Sequence, residues 1–350
     1  MPWPALEVVV GSPHPARAEE PLLAGFHEAV QSDPLTTLDA MQRVAASAPV
    51  GPILVNAAPG TGKSYLLVRR VAYMVTELGV PAYQCAVFAA DEERASGLRE
   101  ALDDLLGDEG REIKVSVPGG TVDAAHVFLD DLPLMPREFF TRLASGREAD
   151  ASVMATGDPD SFLGADGDWA AFDEFAERFP QSHTVRLSRN HRSPASVLTA
   201  MSQLVEPITR VPGRLVQPQR AVSEGCRIGR YFAEDERAEE EFAAGVVEEL
   251  ASRGLGEDEV RVVSSPEEVD SLGPAEPHTV LLTGFTAAAW PADDLSRRRF
   301  YVALSRARGS VFISHSDRGS HLLDQIDTGL FVPFGFVPRS QSSLEQPRLL

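Results

Sequence analysis

Lysine is almost missing from this chain. Only Lys63 and Lys114 occur among 350 residues, and the remaining basic charge is arginine. Cysteine is equally scarce. Cys85 and Cys226 lie far apart, without metal-type spacing, which argues against a disulfide framework or a structural zinc site and for inert thiols of a reducing compartment. Basic charge is in deficit overall, with 32 basic residues against 52 acidic ones and a formal net charge of −20. Phosphate backbones are bound through Lys and Arg, so this balance is not the usual footprint of a nucleic-acid binder, although a local arginine-lined groove remains compatible with it. No apolar run is long enough to span a bilayer, and the opening Met1-Pro2-Trp3-Pro4 has no basic, apolar secretory signature. These absences place the chain in the cytoplasm with no membrane role. Internal repeats and low-complexity tracts are also missing.

What is present is an alternation of short apolar runs and helical patterns. Strands are expected at Leu6–Val10, Ile53–Val55, Gln84–Phe88, Val127–Leu129, Val153–Thr156, Val185–Leu187, Ile228–Phe232, Val260–Val263, Val280–Leu282 and Val311–Ser314. Amphipathic helices intervene, among them Ala238–Arg253 and the acidic stretch Asp91–Gly110. This alternation is that of an α/β protein with parallel sheets, and ten strands are too many for one small sheet. Two domains are expected, 1–184 and 185–336, with a surface connection at Val211–Gly225 and a loose tail over 337–350.

The first of the two lysines lies in Ala57-Ala58-Pro59-Gly60-Thr61-Gly62-Lys63-Ser64, between the apolar run Ile53-Leu54-Val55 and a helical pattern from Ser64 to Val75. Strand, glycine loop and helix form the context of a phosphate-binding loop. Glycines let the backbone close around phosphate oxygens, and N–H groups at a helix start favour an anion. Pro59, Gly60, Thr61, Gly62, Lys63 and Ser64 are therefore the candidate phosphate cradle, with Lys63 on the β- and γ-phosphates and the Ser64 hydroxyl on Mg2+.

Further motifs follow in order. Val127-Phe128-Leu129-Asp130-Asp131 is an apolar strand ending in two acids, suited to holding Mg2+ and to orienting or deprotonating a water. Val153-Met154-Ala155-Thr156-Gly157-Asp158-Pro159-Asp160 is a second strand ending in Gly-Asp, and Arg189-Asn190-His191-Arg192-Ser193 follows a third. Arg299 to Arg308 is an arginine-rich helix. Arg192 and Arg306 are candidates to stabilise charge on a transferring phosphoryl group, against the commoner fate of an arginine in a surface salt bridge.

The order and wording of these motifs, spread over residues 38–315, resemble the UvrD/Rep-type superfamily 1 helicases. Tyr301-Val302-Ala303-Leu304-Ser305-Arg306-Ala307-Arg308 is the most specific match, beside Gly157-Asp158-Pro159-Asp160 and Asn190-His191-Arg192-Ser193. The resemblance implies two RecA-like P-loop domains with ATP in the cleft between them. It implies Lys63 and Ser64 on phosphates and Mg2+, Asp130 on Mg2+, Asp131 as the base, and Arg192 and Arg306 on the γ-phosphate. Gln42, at the family's distance before the loop, would read adenine, and Glu276 would take the acidic place of a blurred Lys-Gly-Leu-Glu motif.

Several departures bear on function. Asp131 stands where the family has Glu, and is one methylene shorter. Ser161 replaces a glutamine that senses the γ-phosphate, and His191 replaces a tyrosine near the base. Where relatives present donors to single-stranded DNA, this chain has Phe88-Ala89-Ala90-Asp91-Glu92-Glu93, and carboxylates repel phosphodiesters. About forty residues separate that segment from Asp130, and fewer than ninety separate Arg192 from Glu276, which leaves no room for the family's inserted helical subdomains. The leading expectation is a minimal ATPase whose closure acts on a protein partner. One alternative is a compact single-strand translocase or helicase, with Phe162, Trp169 and Trp290 as stacking aromatics, although core packing is the favoured role for all three. A further alternative is a pseudo-enzyme that binds nucleotide as a switch.

Overall fold

The computed structural model describes residues 33–120, 122–163, 170–210, 217–218 and 228–335. The expected strand at Leu6–Val10, Trp169, Cys226, all but two residues of the connection 211–225 and the tail 337–350 lie outside them. The described residues fall into two compact units that part between His191 and Arg192. The boundary lies a few residues beyond the expected 184/185 because the strand at 183–187 belongs to the first sheet.

The first unit opens with α1 (Ala40–Ala46) and β1 (Ile53–Ala57), followed by α2 (Lys63–Thr76) and β2 (Cys85–Phe88). Then come α3 (Glu92–Leu106), α4 (Asp108–Glu112), β3 (Lys114–Ser116), β4 (His126–Leu129), α5 (Arg137–Ser145), β5 (Ser152–Gly157), α6 (Ala170–Arg178) and β6 (His183–Leu187). The six strands form one sheet in the order β3-β2-β4-β5-β1-β6, and every pairing is parallel. Strands buried on both faces read as continuous apolar runs, and β1, β2 and most of β4 and β5 do so. The acidic helical stretch after β2 breaks at Gly107, whose φ of 61° ends α3 and starts α4. Asp91 caps α3, accepting from the Arg94 N–H at 2.9 Å, with Glu92 and Glu93 in the first turn, where acids suit the helix dipole.

Because all strands run the same way, their carboxyl ends share one edge, where open α/β sheets bind ligands. The chain leaves β1 into α2 and crosses two strands to reach β2, so the loop after β1 opens beside the ends of β5 and β4. Gly157 at the end of β5 allows a close approach there: a Cβ would meet Pro133 at 2.4 Å.

The second unit contains α7 (Ala195–Val205), β7 (Ile228–Phe232), α8 (Glu236–Ser252), β8 (Val260–Val263), β9 (Thr279–Leu282), α9 (Asp294–Arg306), β10 (Ser310–His315) and β11 (Phe331–Gly335). Its sheet has the order β8-β9-β10-β7-β11, again parallel throughout. Trp290 is fully buried, with its ring 4.5 Å from Phe285 and 6.3 Å from Phe300, so it packs the core of this unit. No helix among the described residues is long and apolar enough to cross a membrane.

One buried charge ties the loop helix to its neighbour. Arg70 on α2 is 1% exposed and donates to the carbonyls of Ala46 (2.8 Å), Ala48 (2.5 Å) and Pro49 (3.2 Å), the carbonyls that end α1. Burial pushes its guanidinium down to about 10, so it stays charged at neutral pH. Arg70→Met leaves those acceptors unmet, and is expected to lower the unfolding free energy by about 3 kcal/mol in a urea titration. An unchanged midpoint would mean that water replaces the guanidinium without cost.

Candidate functional site

The loop between β1 and α2 is shaped by two left-handed glycines, Gly60 (φ 76°) and Gly62 (φ 78°). Gly62 is the N-cap residue of α2, so Lys63 and Ser64 open the helix with N–H groups that have no intrahelical acceptor. Three of the four carbonyls from Ala58 to Thr61 are held from outside the loop. Ala58 O accepts from the Thr61 hydroxyl at 2.7 Å, Pro59 O from Asn190 Nδ2 at 2.8 Å, Gly60 O from the His191 N–H at 2.8 Å, and Thr61 O from Gln42 Nε2 at 3.0 Å.

Acids converge on the same edge from β4. Asp130 is 2% exposed, and it accepts from the Ser64 hydroxyl at 2.7 Å and the Thr156 hydroxyl at 3.0 Å. Thr156 in turn accepts from the Asp131 N–H at 3.2 Å, so one hydroxyl at the end of β5 positions both acids. Asp131 has φ 57°, the only positive φ of a non-glycine residue among those described, in a region that Asp enters more readily than most residues. Its carboxylate lies 3.4 Å from Lys63 Nζ, and both side chains are largely buried. Burial, reinforced by the neighbouring Asp131, pushes the Asp130 carboxyl up to about 6, against the opposing donors Ser64 and Thr156 and the Lys63 charge.

The fit to Mg2+ follows from these groups. Magnesium keeps most of its waters and takes one or two protein oxygens with substrate phosphates. Ser64 and Asp130 are two adjacent hard oxygen donors, and a carboxylate whose pKa is raised by burial is one that a cation would relieve. No cluster of three or more metal-ligating side chains exists among the described residues, so the site offers no all-protein cage.

Gln42 sits next to the loop but inside the protein, 2% exposed. Its Oε1 accepts from the Asp39 N–H at 3.1 Å, completing a capping box with Asp39, whose Oδ1 accepts from the N–H groups of Met41 and Gln42 at 2.9 Å. The other Asp39 oxygen is 3.3 Å from His191 Nε2. Ser161 donates to Asp158 O at 2.8 Å, within its own turn. Phe162 lines a cavity of about 370 Å³ formed with Leu132, Met135, Phe140, Ala170 and Glu174.

In the second unit, Arg192 donates to Ser305 O at 3.1 Å and is paired with Glu276. Arg306 is the last residue of α9 and is half-buried. Arg308 Nη2 donates to both carboxylate oxygens of Glu259, at 2.6 and 2.7 Å, and its Nε donates to Glu276 O at 2.5 Å. Glu276 thus lies between two arginines of the motif set. Thr156, Asn190 and Asp39 were not among the sequence candidates. Only Asp39 left a readable signal, as the Asp-x-x-Gln start of a capped helix.

The Asp130 shift yields a prediction. In the nucleotide-free protein the folded state holds its proton up to about pH 6, whereas an ordinary Asp releases it near 3.8. Between those values the folded state binds more protons than the unfolded one, so stability falls as pH rises, by about 3 kcal/mol in total. Asn can keep both hydrogen bonds without the charge. Asp130→Asn is expected to melt higher than the parent at pH 8 without Mg2+, to show no gain at pH 4, and to lose Mg2+-dependent nucleotide affinity. An equal gain at both pH values would rule out the buried charge as its cause.

Residues 38–129 match the family described as the UvrD/REP helicase N-terminal domain. The arterivirus nonstructural protein 10 helicase, solved with DNA, shares the fold at a TM-score of 0.50 and 17% identity, over 82% of this chain and 64% of that one. The PRRSV helicase aligns at a TM-score of 0.49 and 16% identity, over 78% of this chain and 54% of that one. The chain therefore spans roughly half to two thirds of the length of these viral proteins. Among curated proteins none matches it. The likeness to the UvrD/REP helicase N-terminal domain covers residues 38–129, and the two parallel-sheet units accord with it in fold.

Proposed function

We propose that the protein binds and hydrolyses ATP with Mg2+ and uses the nucleotide cycle to act on a protein partner. The observation that carries this reading is the convergence of Lys63, Ser64, Asp130 and Asp131 on the loop after β1, each held by a named partner.

In this reading the N–H groups of Gly62, Lys63 and Ser64 and the Lys63 ammonium receive the β- and γ-phosphates. Mg2+ would supply positive charge to the phosphates. Asp130 and Ser64, which lie side by side, would hold it. Asp131 accepts the proton of the attacking water at its carboxylate, after releasing Lys63 to the phosphates. Arg192 and Arg306 supply positive charge to the γ-phosphate, and Arg192 must exchange Glu276 for phosphate to do so. Glu276 therefore acts here as the keeper of Arg192, in addition to any contact with nucleotide.

Nucleic acid enters this proposal as a weak ligand. Asp91 and Glu92 stand where relatives offer DNA donors; Asp91 caps α3 and pairs with Arg94, and Glu92 opens the helix and pairs with Arg99. The chain between β2 and β4 holds only α3, α4 and β3, without an inserted subdomain. Trp290 is buried and cannot stack on bases.

Two experiments test the reading. Asp131→Asn removes the partner of Lys63 and the base together. It is expected to bind a non-hydrolysable ATP analogue at least as tightly as the parent while releasing no phosphate, and a weakened affinity would mean that Asp131 helps bind nucleotide. Phosphate release by the parent is expected to be the same with and without single-stranded DNA, and a labelled oligonucleotide is expected to bind weakly at about 0.15 M salt. Strong DNA stimulation with submicromolar, steeply salt-dependent binding would instead identify a translocase. Tight ATP binding without turnover would identify a nucleotide-operated switch.

A further inference from the structure

Asp131 has a left-handed backbone, with φ 57°. Such a residue persists where its surroundings fix it, and such residues gather at working positions. Both polar groups of its backbone are taken. Its N–H donates to the Thr156 hydroxyl at 3.2 Å, and its carbonyl accepts from the Leu134 N–H at 2.9 Å. The Leu134 bond closes a tight turn through Leu132 and Pro133, and the Met135 N–H donates to Leu132 O at 3.1 Å to extend it. Leu132 and Met135 are buried. The turn rests on the end of β5, where a Cβ at Gly157 would meet the Pro133 ring at 2.4 Å. Thr156 and Gly157 therefore fix the turn together, one by its hydroxyl and the other by leaving room.

The Thr156 hydroxyl has no freedom in this role. It is fully buried and has a single hydrogen, which goes to Asp130 Oδ1 at 3.0 Å and leaves a lone pair for the Asp131 N–H. Asp130 is itself held at its other oxygen by the Ser64 hydroxyl at 2.7 Å, and its N–H donates to Phe88 O at 2.8 Å. Contacts thus run unbroken from Ser64 through Asp130 and Thr156 to the backbone of Asp131. From that fixed backbone the Asp131 carboxylate lies 3.4 Å from Lys63 Nζ. A glutamate there would carry its carboxylate one methylene further, and it enters the left-handed region less readily than aspartate does.

We infer that Thr156 is a positioning residue that aims Asp131, and that the left-handed turn it holds is matched to aspartate rather than glutamate. The shorter acid is then the form this site is built for. The inference rests on the proposed reading of Asp131 as the group that accepts the proton of the attacking water. Misplacing such a group by about an ångström costs on the order of a hundredfold in rate.

The test is steady-state phosphate release from Mg2+–ATP by the full chain, with kcat and KM resolved and folding followed by thermal melting. Thr156→Val keeps the shape of the side chain and removes its hydroxyl, while Ser64 still holds Asp130. It is expected to lower kcat by about ten- to a hundredfold and to change KM by less than about threefold. Thr156→Ser keeps the hydroxyl and is expected to recover most of the rate. Asp131→Glu leaves Thr156 in place and is expected to lower kcat by about tenfold or more. It carries the test alone should Thr156→Val fail to fold. A parental kcat in Thr156→Val, a rise in KM alone, equal losses in Thr156→Ser and Thr156→Val, or an undiminished kcat in Asp131→Glu would each overturn the inference and leave the ATPase reading standing. A parent that releases no phosphate would overturn both.

Discussion

A peptide unit whose carbonyl is held on one side presents its N–H, where it has one, to the other. In the loop after β1 outside donors hold the carbonyls of Pro59, Gly60 and Thr61, while Ala58 O, in the peptide unit of Pro59 that has no N–H, is held within the loop by Thr61. The rest of the first unit serves this arrangement. β1 delivers the loop to the carboxyl edge of the sheet, β6 continues into Asn190 and His191, and α1 carries Gln42. Arg70 fastens α1 to α2 through the carbonyls at the end of α1. Preorganised dipoles of this kind stabilise a bound anion without a reorganisation cost at the moment of binding.

Charge compensation is the second constraint. Lys63 is held by Asp131 in the first unit and Arg192 by Glu276 in the second, so the cations expected to meet phosphate each rest on a carboxylate. Asp130 presents the opposite case, an acid buried beside another acid and pushed up to about 6. A Mg2+–triphosphate complex answers both conditions at once, because its metal suits Asp130 and its phosphates suit Lys63. An overall charge of −20 is compatible with this chemistry because the cations are few and placed. The same charge disfavours a phosphodiester strand.

Much of the fold was legible in the sequence. β1, β2, β4 and β5 are apolar runs because both their faces are covered. β3 was missed because it is three residues long with Lys114 exposed, and β11 because Pro333 interrupts an edge strand, a position where proline is tolerated. Lys63, Ser64, Asp130 and Asp131 could be read because a loop or a strand end displays them in a local pattern. Thr156 and Asn190 stand inside motifs the sequence displays, but their parts could not be read there, because they depend on parallel register and chain crossing. Gln42 was found by spacing, but its partners Thr61 and Asp39 were not.

The central claim is that the Lys63 loop is a phosphate-binding site that turns over. The most direct measurement is steady-state phosphate release from Mg2+–ATP by the purified full chain beside Lys63→Ala. The account predicts measurable release by the parent and none by the variant, with nucleotide affinity strongly weakened in the latter. Release by Lys63→Ala at the parental rate would contradict it.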